Sequence, residues 1–388
     1  MNYCIILIMN KNIKLIIFAK SIDGGTGTFF EKIVTLNEYF PAEQLLIRPL
    51  VLEKPAYRQS HEKVNHYMRP AKYYPEKYAI TVKSLRDFID EIFWLRNHIK
   101  KFQPDIILSV DSHCNILALV NNSLFFNRTK IIITTHNYLE ATFQKKASVI
   151  LQKLLRFSIS FLYNKAESII CVSSGICDEL TNTFKVKKKV DVIYYGLKNI
   201  QSKNVKISRS KKKIFICIAR LVEQKDHTTL LHAFHALLKE KVSAELWIVG
   251  DGPLKNDLLK LAKSLNIARN ISFLGWRKDV YKLLQRADVF ALSSHREGLP
   301  YAMLEALSAG LPIIATDTPF GPKEILDNGK YGILVPMRDE IALKNAMEKL
   351  LKNNNTYNFY ANQAIKRSQF FTEEKMFQAY KKIILELI

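Results

Sequence analysis

The strongest constraint on the fold of this chain is a repeated alternation of short apolar runs with longer amphipathic segments. Segments with the 3.6-residue periodicity of a helix, such as Thr228–Glu240, Leu254–Leu265 and Tyr301–Ala309, separate the apolar runs. Alternation with this spacing predicts a parallel sheet with crossover helices on both faces. In the second half of the chain, the predicted strands are Ile214–Ala219, Glu245–Gly250, Ile271–Leu274, Val289–Ser293, Pro312–Thr316 and Gly332–Val335.

The first half of the chain repeats the pattern, which indicates a second sheet. With 388 residues, 48% of them hydrophobic, the chain can build two domains. We predict an α/β protein of two Rossmann-like parallel-sheet domains, residues 1–195 and 196–370, joined near Ile193–Lys213. A helix within residues 371–388 follows and could pack on either domain. The predicted strands of the first half are Lys14–Phe18, Asp105–Val110, Lys130–Thr135 and Ser168–Val172.

The formal net charge of +22 calls for an explanation. Lysine and arginine are spread over both halves of the chain, which favours an anionic membrane surface or an acidic substrate. The sequence has no zinc-ligand spacing, no recognisable RNA module and no concentrated basic helix, so a nucleic-acid-binding protein is the weaker alternative. No apolar run reaches the roughly 20 residues of a transmembrane helix. The five cysteines form no Cys-x-x-Cys pair, which is typical of reduced thiols in a cytosolic protein.

Three segments bear on membrane contact. Lys54–Tyr78 is rich in basic and aromatic residues and predicts a long loop. Gln144–Asn164 predicts an amphipathic helix that either packs on its own domain or lies on a membrane. The basic stretch Lys185–Lys213 is interpreted as a solvated surface between domains. The expected location is the cytoplasm, with peripheral attachment to the inner face of the membrane as the alternative.

The strongest candidate functional residues follow the strand predicted at Val289–Ser293. A glycine loop that contains Glu297 leads into a helix that contains Glu305. The unpaired N–H groups at the start of such a helix, together with its dipole, form an anion site at the carboxyl edge of a parallel sheet. Arg220 and Lys225 follow another strand and could face one anion, the arginine as a planar fork and the lysine as a point charge.

Between about Ile214 and Val335 the sequence carries five further motifs in a fixed order. They are Arg220-Leu-x-x-x-Lys225, Gly250-Asp-Gly-Pro253, Phe273-Leu-Gly275, Glu297-Gly-x-Pro300 with Leu304-Glu-Ala306, and Gly310-Leu-Pro-Ile-Ile-Ala-Thr316. With these motifs the sequence resembles the family 4 retaining glycosyltransferases, which have the GT-B fold. This resemblance implies two domains that face a cleft.

The resemblance also implies roles for individual residues. Arg220 and Lys225 would hold the donor diphosphate and take part in catalysis, and Glu297 would contact the transferring sugar. Glu305 would bind the ribose hydroxyls. The backbone of Gly298 and Leu299, which lies between the two glutamates, is expected in the donor site.

The first half of the chain matches the family more loosely. Asp23-Gly-Gly-Thr-Gly-Thr28 follows the first strand, where the family places a glycine loop beside the phosphates, so Gly25 is expected to contact the donor; a simple tight turn is the alternative. His136 corresponds to a family histidine near the donor sugar. Asp111 and His113, on another strand-end loop, could contact the acceptor. The run Tyr194-Tyr-Gly-Leu-Lys198 departs from the family's Asn-Gly-hydrophobic-Asp pattern at the hinge.

The chemistry of sugar transfer fits these residues. Negative charge builds on the departing diphosphate as the sugar becomes oxocarbenium-like. Metal-using transferases commonly carry an Asp-x-Asp motif, which this chain lacks. Two cations and a helix N-terminus can supply the stabilisation, so we expect neither a metal nor another cofactor.

We therefore expect a hexosyltransferase with a nucleotide-sugar donor. The donor would be a UDP-sugar that carries a hexose or an N-acetylhexosamine. The acceptor would be a glycan or a lipid-linked molecule of surface polysaccharide or lipopolysaccharide biosynthesis. A sugar-nucleotide epimerase of related fold is the alternative enzyme. An inactive scaffold is disfavoured because all five expected side chains are present, namely His136, Arg220, Lys225, Glu297 and Glu305.

Overall fold

The computed structural model describes residues 12–20, 24–40, 45–52, 85–139, 149–198 and 212–388. They form two compact units, one within Met1–Tyr194 together with Lys375–Ile388 and the other from Tyr195 to Glu374. Each unit contains a parallel sheet flanked by helices, so the predicted α/β class is confirmed. None of the helices in the described ranges is both long enough and apolar enough to cross a bilayer.

The sheet of the first unit has the strand order β2-β1-β3-β4-β5-β6 within the described residues, and every neighbouring pair is parallel. Its four inner strands are runs of isoleucine, leucine and valine that are buried on both faces, as parallel sheets require. The strands are β1 (Ile13–Ala19), β2 (Leu45–Val51), β3 (Ile106–Val110), β4 (Lys130–Thr135), β5 (Ser168–Cys171) and β6 (Val190–Val192).

One helix of the first unit was not predicted from the sequence, because its first turn is rich in glycine. Gly24–Thr28, predicted as a glycine loop or tight turn, begin a helix, so that prediction is wrong; Asp23 lies outside the described residues. Phe29 and Phe30 of this helix are fully buried, and their packing offsets the low helix propensity of the glycines. The helices are α1 (Gly24–Ile33), α2 (Leu85–Phe102), α3 (Ser112–Phe125), α4 (Val149–Tyr163) and α5 (Ser174–Asp178), with a 3-10 turn at Leu36–Tyr39 and a π-turn at Glu179–Thr183.

All three segments singled out for membrane contact fall wholly or partly outside the described residues. The Lys54–Tyr78 segment lies there entirely, and the basic stretch Lys185–Lys213 is described at both ends but not at 199–211. The helix predicted at Gln144–Asn164 is present as α4, and residues 144–148 of that segment lie outside the described residues.

The sheet of the second unit has the order β9-β8-β7-β10-β11-β12 within the described residues, again all parallel. Counted along the chain, this is the doubly wound order 3-2-1-4-5-6, in which the first and fourth strands are central neighbours. The predicted strand positions are confirmed to within one residue at either end. The strands are β7 (Lys213–Ile218), β8 (Ala244–Val249), β9 (Ile271–Gly275), β10 (Val289–Leu292), β11 (Ile313–Thr316) and β12 (Ile333–Val335).

The remaining helices alternate with these strands and end the chain. Leu230, Leu231 and Phe234 of α6 are buried against the sheet, which explains the apolar periodicity of that segment. In the last helix Tyr380 is buried, with its ring 5.7 Å from that of Phe29 in the same unit. The helices are α6 (His227–Lys239), α7 (Lys255–Ser264), α8 (Val280–Leu284), α9 (Tyr301–Ser308), α10 (Pro322–Ile325), α11 (Glu340–Lys352), α12 (Asn354–Ser368) and α13 (Glu373–Leu387), with 3-10 turns at Glu223–Lys225 and Ala268–Asn270.

Candidate active site

The candidate site of the second unit lies where strands β7 and β10 end side by side. These strands pair directly, with Val289 beside Phe215 and Phe290 beside Ile216. The chain leaves them in opposite directions, toward β8 on one side and β11 on the other. Open parallel sheets bind ligands at this topological switch point, outside the carboxyl ends of the strands. The loop after β7 carries Arg220 and Lys225, and the loop after β10 carries Glu297.

Lys225 and Glu297 form a buried ion pair across the two loops. Lys225 Nζ lies 2.5 Å from Glu297 Oε1, and the two side chains are only 14% and 6% exposed. The Ser294 hydroxyl donates to the same Oε1 at 2.6 Å. A buried carboxylate needs such partners because desolvation otherwise disfavours its charge. Arg220 lies at the exposed side of the same loop.

Further hydrogen bonds fix the two loops to each other. The Gln224 side-chain amide donates to the carbonyl oxygen of Arg296 at 2.8 Å, and the His295 N–H donates to the carbonyl oxygen of Gln224 at 2.8 Å. The Ser293 hydroxyl lies 3.0 Å from the Lys225 carbonyl oxygen and 2.8 Å from that of Asp226. The separation of Lys225 and Glu297 is therefore set by backbone contacts as well as by their own attraction.

The loop after β8 supports the Arg220 loop from one side. Leu221 donates its N–H to the Asp251 carbonyl oxygen at 3.0 Å. Gly250 has φ of 136°, and a Cβ atom there would stand 2.0 Å from the carbonyl oxygen of Ala219. Only glycine allows this close approach, which gives the Gly250-Asp-Gly-Pro253 motif a structural reason.

The loop after β11 supports the Glu297 loop from the other side. The Thr316 hydroxyl donates to the Ser294 carbonyl oxygen at 2.5 Å. Gly321 has φ of 68°, and a Cβ atom on it would lie 2.7 Å from the carbonyl oxygen of Gly298. Four strand-end loops thus interlock around the Lys225–Glu297 pair.

Helix α9 begins directly after the Glu297 loop. Its N-cap is Pro300, whose side chain has no oxygen to accept hydrogen bonds from the first N–H groups of the helix. Gly298 and Leu299 are buried just before it, and Glu305 is half-buried on the second turn. The positive end of the helix dipole therefore lies beside the ion pair, as an anion site requires.

In the first unit, His136 follows strand β4 and is buried as a neutral imidazole. Burial lowers its pKa to about 3, because desolvation disfavours the charged ring. Its Nε2 lies 2.6 Å from the Thr134 hydroxyl, which itself donates to the Ser109 carbonyl oxygen at 2.9 Å. Phe29 of α1 packs on the imidazole with ring centroids 4.7 Å apart.

Asp111 and His113 are tied into the structure near the same edge of the first sheet. Asp111 Oδ2 accepts the N–H of Lys20 at 2.8 Å, and Oδ1 accepts those of His113 and Cys114 at 3.0 and 3.1 Å. Burial raises the pKa of Asp111, opposed by these N–H donors. His113 Nε2 lies 2.8 Å from Glu91 Oε2. The contacts join the ends of β1 and β3, and an acceptor role for the two residues stays a prediction.

Two known protein families match adjoining parts of the chain. A family described as Glycosyltransferase Family 4 matches residues 54–198, and one described as Glycosyl transferases group 1 matches residues 199–367, so that the two matches adjoin without a gap. The chain belongs to the family 4 glycosyltransferases. It is a transferase enzyme, as the sequence predicted.

Three similar proteins illustrate the assignment. The N-acetylgalactosamine-N,N'-diacetylbacillosaminyl-diphospho-undecaprenol 4-alpha-N-acetylgalactosaminyltransferase of Campylobacter jejuni is 29% identical over 70% of this chain and 73% of its own. The lipopolysaccharide core biosynthesis glycosyltransferase LpsE of Rhizobium meliloti is 28% identical over 50% of this chain and 56% of its own. Anabaena HepE in complex with UDP-glucose has a TM-score of 0.76 at 17% identity, over 97% of this chain and 100% of its own. The last likeness confirms the predicted GT-B fold.

The structure of this family 4 glycosyltransferase adds residues that sequence reasoning missed. Gln224, Asp226 and His295 make contacts across the β7 and β10 loops, and Ser294 donates to Glu297 within the β10 loop. Asp226 had a usable signal, since an aspartate before Thr228-Thr-Leu is typical of a helix N-cap. His295 had none, because its contact depends on the neighbouring positions of two strands that are far apart in sequence.

The hinge run that departs from the family pattern has its own contacts in this glycosyltransferase. Tyr195 stacks on Tyr301, the first residue of α9, with ring centroids 4.2 Å apart and an angle of 18° between the planes. Burial raises the pKa of Tyr195. A Cβ atom on Gly196 would stand 2.5 Å from the Glu373 Cα, so the glycine of the run is sterically required. In the described ranges no three His, Cys, Asp or Glu side chains are grouped so that they could hold a metal ion.

Proposed function

We propose that this glycosyltransferase transfers a hexose or an N-acetylhexosamine from a UDP-sugar to a glycan or lipid-linked acceptor, with retention of anomeric configuration. The observation that carries the proposal is the buried Lys225–Glu297 pair at the switch point of the second sheet. It places a cation and a carboxylate together beside the start of helix α9, where a diphosphate and the sugar attached to it can be held side by side.

The diphosphate would be stabilised by Lys225, Arg220 and the first turn of α9, with the backbone of Gly298 and Leu299 beside it. An ammonium group has three N–H donors, so Lys225 can keep its bond to Glu297 and still donate to a phosphate oxygen. These groups are fixed before the reaction, and preorganised charge of this kind stabilises the departing diphosphate. No metal is required by this scheme, and metal independence stays a prediction.

The sugar would be bound by the remaining side chains. Glu297 uses Oε1 for Lys225 and Ser294, and its Oε2 can accept a hydrogen bond from a sugar hydroxyl. Glu305 would bind the ribose hydroxyls. His136, near the donor sugar, and Gly25, beside the phosphates, have the roles that the family resemblance implies. We keep Asp111 and His113 as candidate acceptor contacts.

The similar proteins support the substrate classes. The name of the Campylobacter relative specifies an acceptor on diphospho-undecaprenol, and the Rhizobium relative is named for lipopolysaccharide core biosynthesis. The Anabaena structure holds UDP-glucose. A UDP-sugar donor and a lipid-linked acceptor in surface polysaccharide or lipopolysaccharide synthesis follow as the proposal for this chain.

A thermal-shift series with UDP-, GDP- and ADP-sugars tests the donor. A ligand at 100 times its Kd adds about 2.7 kcal/mol to the stability of the folded state, which shifts Tm by roughly 5–10 °C for a domain of this size. We expect this shift with UDP-sugars and not with uridine, which lacks the diphosphate. Lys225→Met should abolish it. A shift with GDP- or ADP-sugars alone would contradict the choice of nucleotide.

A basic and aromatic surface of the first unit is our candidate for membrane contact. Phe157 and Phe161 on α4 are 69% and 55% exposed and stack on each other at 6.4 Å, with Lys165 Nζ 4.5 Å from the Phe161 ring centre. The N–H groups of exposed Lys187 and Lys188 both donate to Asn164 Oδ1, which joins the lysine loop to the same helix. Exposed aromatic rings bordered by cations suit an anionic lipid surface.

The position of this surface allows peripheral attachment at the inner face of the membrane. Lys165 precedes β5, and Lys187 and Lys188 precede β6, so they lie toward the amino-terminal edge of the sheet. The candidate residues His136 and Asp111 are at the opposite, carboxyl edge. Contact with lipid through the lysines would therefore leave that edge uncovered.

Co-sedimentation with liposomes tests the membrane proposal. Each basic residue near an anionic surface contributes about 1 kcal/mol, so binding should rise with anionic lipid content and fall with salt. Two variants should weaken it, Phe157→Ser/Phe161→Ser and Lys165/Lys187/Lys188→Ser. The matched control removes three exposed lysines of the second unit, as Lys260/Lys263/Lys278→Ser. Equal losses in the two lysine variants, or a protein that never sediments with lipid, would refute the surface.

A further inference from the structure

A second close contact, between the side chains of Asp226 and His295, links the loops that carry Lys225 and Glu297. His295 Nε2 lies 2.7 Å from Asp226 Oδ2. Asp226 directly follows Lys225 in the chain, and His295 stands two residues before Glu297. The two pairs are therefore side-by-side links between the same two strand-end loops.

Asp226 has a backbone conformation that favours glycine. Its backbone is left-handed, with φ of 44° and ψ of 52°, a conformation that glycine adopts freely and that aspartate tolerates better than most other residues. Its carboxylate accepts the Thr229 N–H at 3.2 Å and the Thr229 hydroxyl at 2.7 Å, which caps helix α6. A glycine would make the same turn more easily, so the carboxylate is the reason for an aspartate here.

His295 is held at both its backbone and its ring. Its N–H donates to the Gln224 carbonyl oxygen at 2.8 Å, while the ring reaches back to Asp226. The side chains of His295 and Asp226 are only 27% and 10% exposed, so their contact is largely sheltered from water.

We infer that Asp226 and His295 are positioning residues, which keep Lys225 and Glu297 at a fixed separation while the donor binds. A diphosphate attracts Lys225 and repels Glu297, so its arrival tends to pull the first pair apart. The second link between the loops opposes that movement without touching the donor. For the reaction itself this inference rests on the proposed function, because the separation matters only if a diphosphate and a sugar occupy the two sides of the pair.

Steady-state kinetics with a UDP-sugar tests the inference. We expect His295→Ala to lower kcat by roughly 10- to 100-fold, as a displacement of about 1 Å near reacting atoms does. The Kd of free UDP, measured by calorimetry, should stay close to that of the wild type. Asp226→Gly keeps the left-handed backbone and should have a similar effect on kcat. The double variant Asp226→Gly/His295→Ala should have a kcat no lower than that of the slower single variant, because each substitution alone already breaks the same contact.

Control variants separate positioning from other roles. His295→Gln retains an N–H donor toward Asp226 and should recover part of kcat. His232→Ala removes a histidine of α6 whose Nδ1 is 3.9 Å from Glu340 Oε2, outside the site, and should match the wild type. A large loss of UDP affinity in His295→Ala at unchanged kcat would make His295 a ligand contact and overturn the inference. Wild-type kinetics in His295→Ala would also overturn the inference.

A measurement without substrate keeps the inference separate from the proposed function. If no UDP-sugar is turned over by the wild type, the donor proposal fails, but the two links can still be examined by urea unfolding. The coupling between Lys225→Met and Glu297→Gln in a double-mutant cycle should be clearly smaller in a His295→Ala background than in the wild type. An unchanged coupling would show that the second pair does not position the first.

Discussion

Lys225→Ala is expected to lower kcat for sugar transfer by roughly 30- to 1000-fold, because a lost charge-assisted contact to the departing diphosphate typically costs about 2–4 kcal/mol of transition-state stabilisation. Arg220→Ala should show a loss of the same order for the same reason. Steady-state kinetics with purified variants measures both. The wild type should keep its activity in EDTA, since the two cations and helix α9 supply the positive charge.

Because Lys225 is largely buried, its replacement is also expected to destabilise the folded protein, so the kinetic experiment needs a control for stability. Removal of Lys225 leaves Glu297 buried without a cation, which typically destabilises a protein by about 3–5 kcal/mol. The double variant Lys225→Met/Glu297→Gln removes both charges and should regain Tm without regaining activity. Activity that disappears in EDTA and returns with Mn²⁺ would refute the metal-independent mechanism, whatever the variants show.

The sequence predicted the inner strands of both sheets well for a physical reason. They are mainly apolar runs rich in isoleucine, leucine and valine, because both of their faces are buried under helices. The two strands that it missed, β2 and β6, lie at the edges of the first sheet. Strand β2 contains Pro49, which pairs with Ile17 in the register. Proline argues against a central strand but is tolerated at an edge, where one side has no strand to bond.

Helix α1 was not predicted, because the low helix propensity of its glycines favours a loop whereas the packing of its apolar side chains favours a helix. Three glycines within Gly24–Thr28 predict a loop, since glycine costs about 1 kcal/mol per residue in a helix. Packing of Phe29, Phe30 and Ile33, all fully buried, overrides that preference. Burial on this scale depends on the neighbouring strands, and no local sequence window contains that information.

For the candidate site, too, the sequence predicted some features and not others. Arg220, Lys225, Glu297 and Glu305 could be located because they follow strand ends or begin a helix, positions that a sequence reveals. The 2.5 Å contact of Lys225 with Glu297 could not be derived, because it depends on β7 and β10 being neighbours. Both side chains were expected to face the donor; the structure adds that they also neutralise each other.

The two glutamates are expected to fail differently, and Glu297→Gln should have the larger effect on catalysis. Glu297 is bonded to Lys225 and Ser294, so its loss removes a sugar contact and also frees the lysine from its fixed position. We expect kcat to fall by roughly 100-fold or more while the Kd of free UDP changes little.

Glu305 is half-buried on the second turn of helix α9, and its proposed partner is the ribose. Glu305→Gln keeps the size of the side chain and one acceptor oxygen, so it should mainly weaken binding of UDP, by roughly 10-fold, which is the range for a hydrogen bond to a charged group. Calorimetry with UDP and kinetics at saturating donor separate the two effects for each variant. If both variants lost UDP affinity equally, Glu297 would serve nucleotide binding like Glu305, and its assignment to the transferring sugar would be wrong.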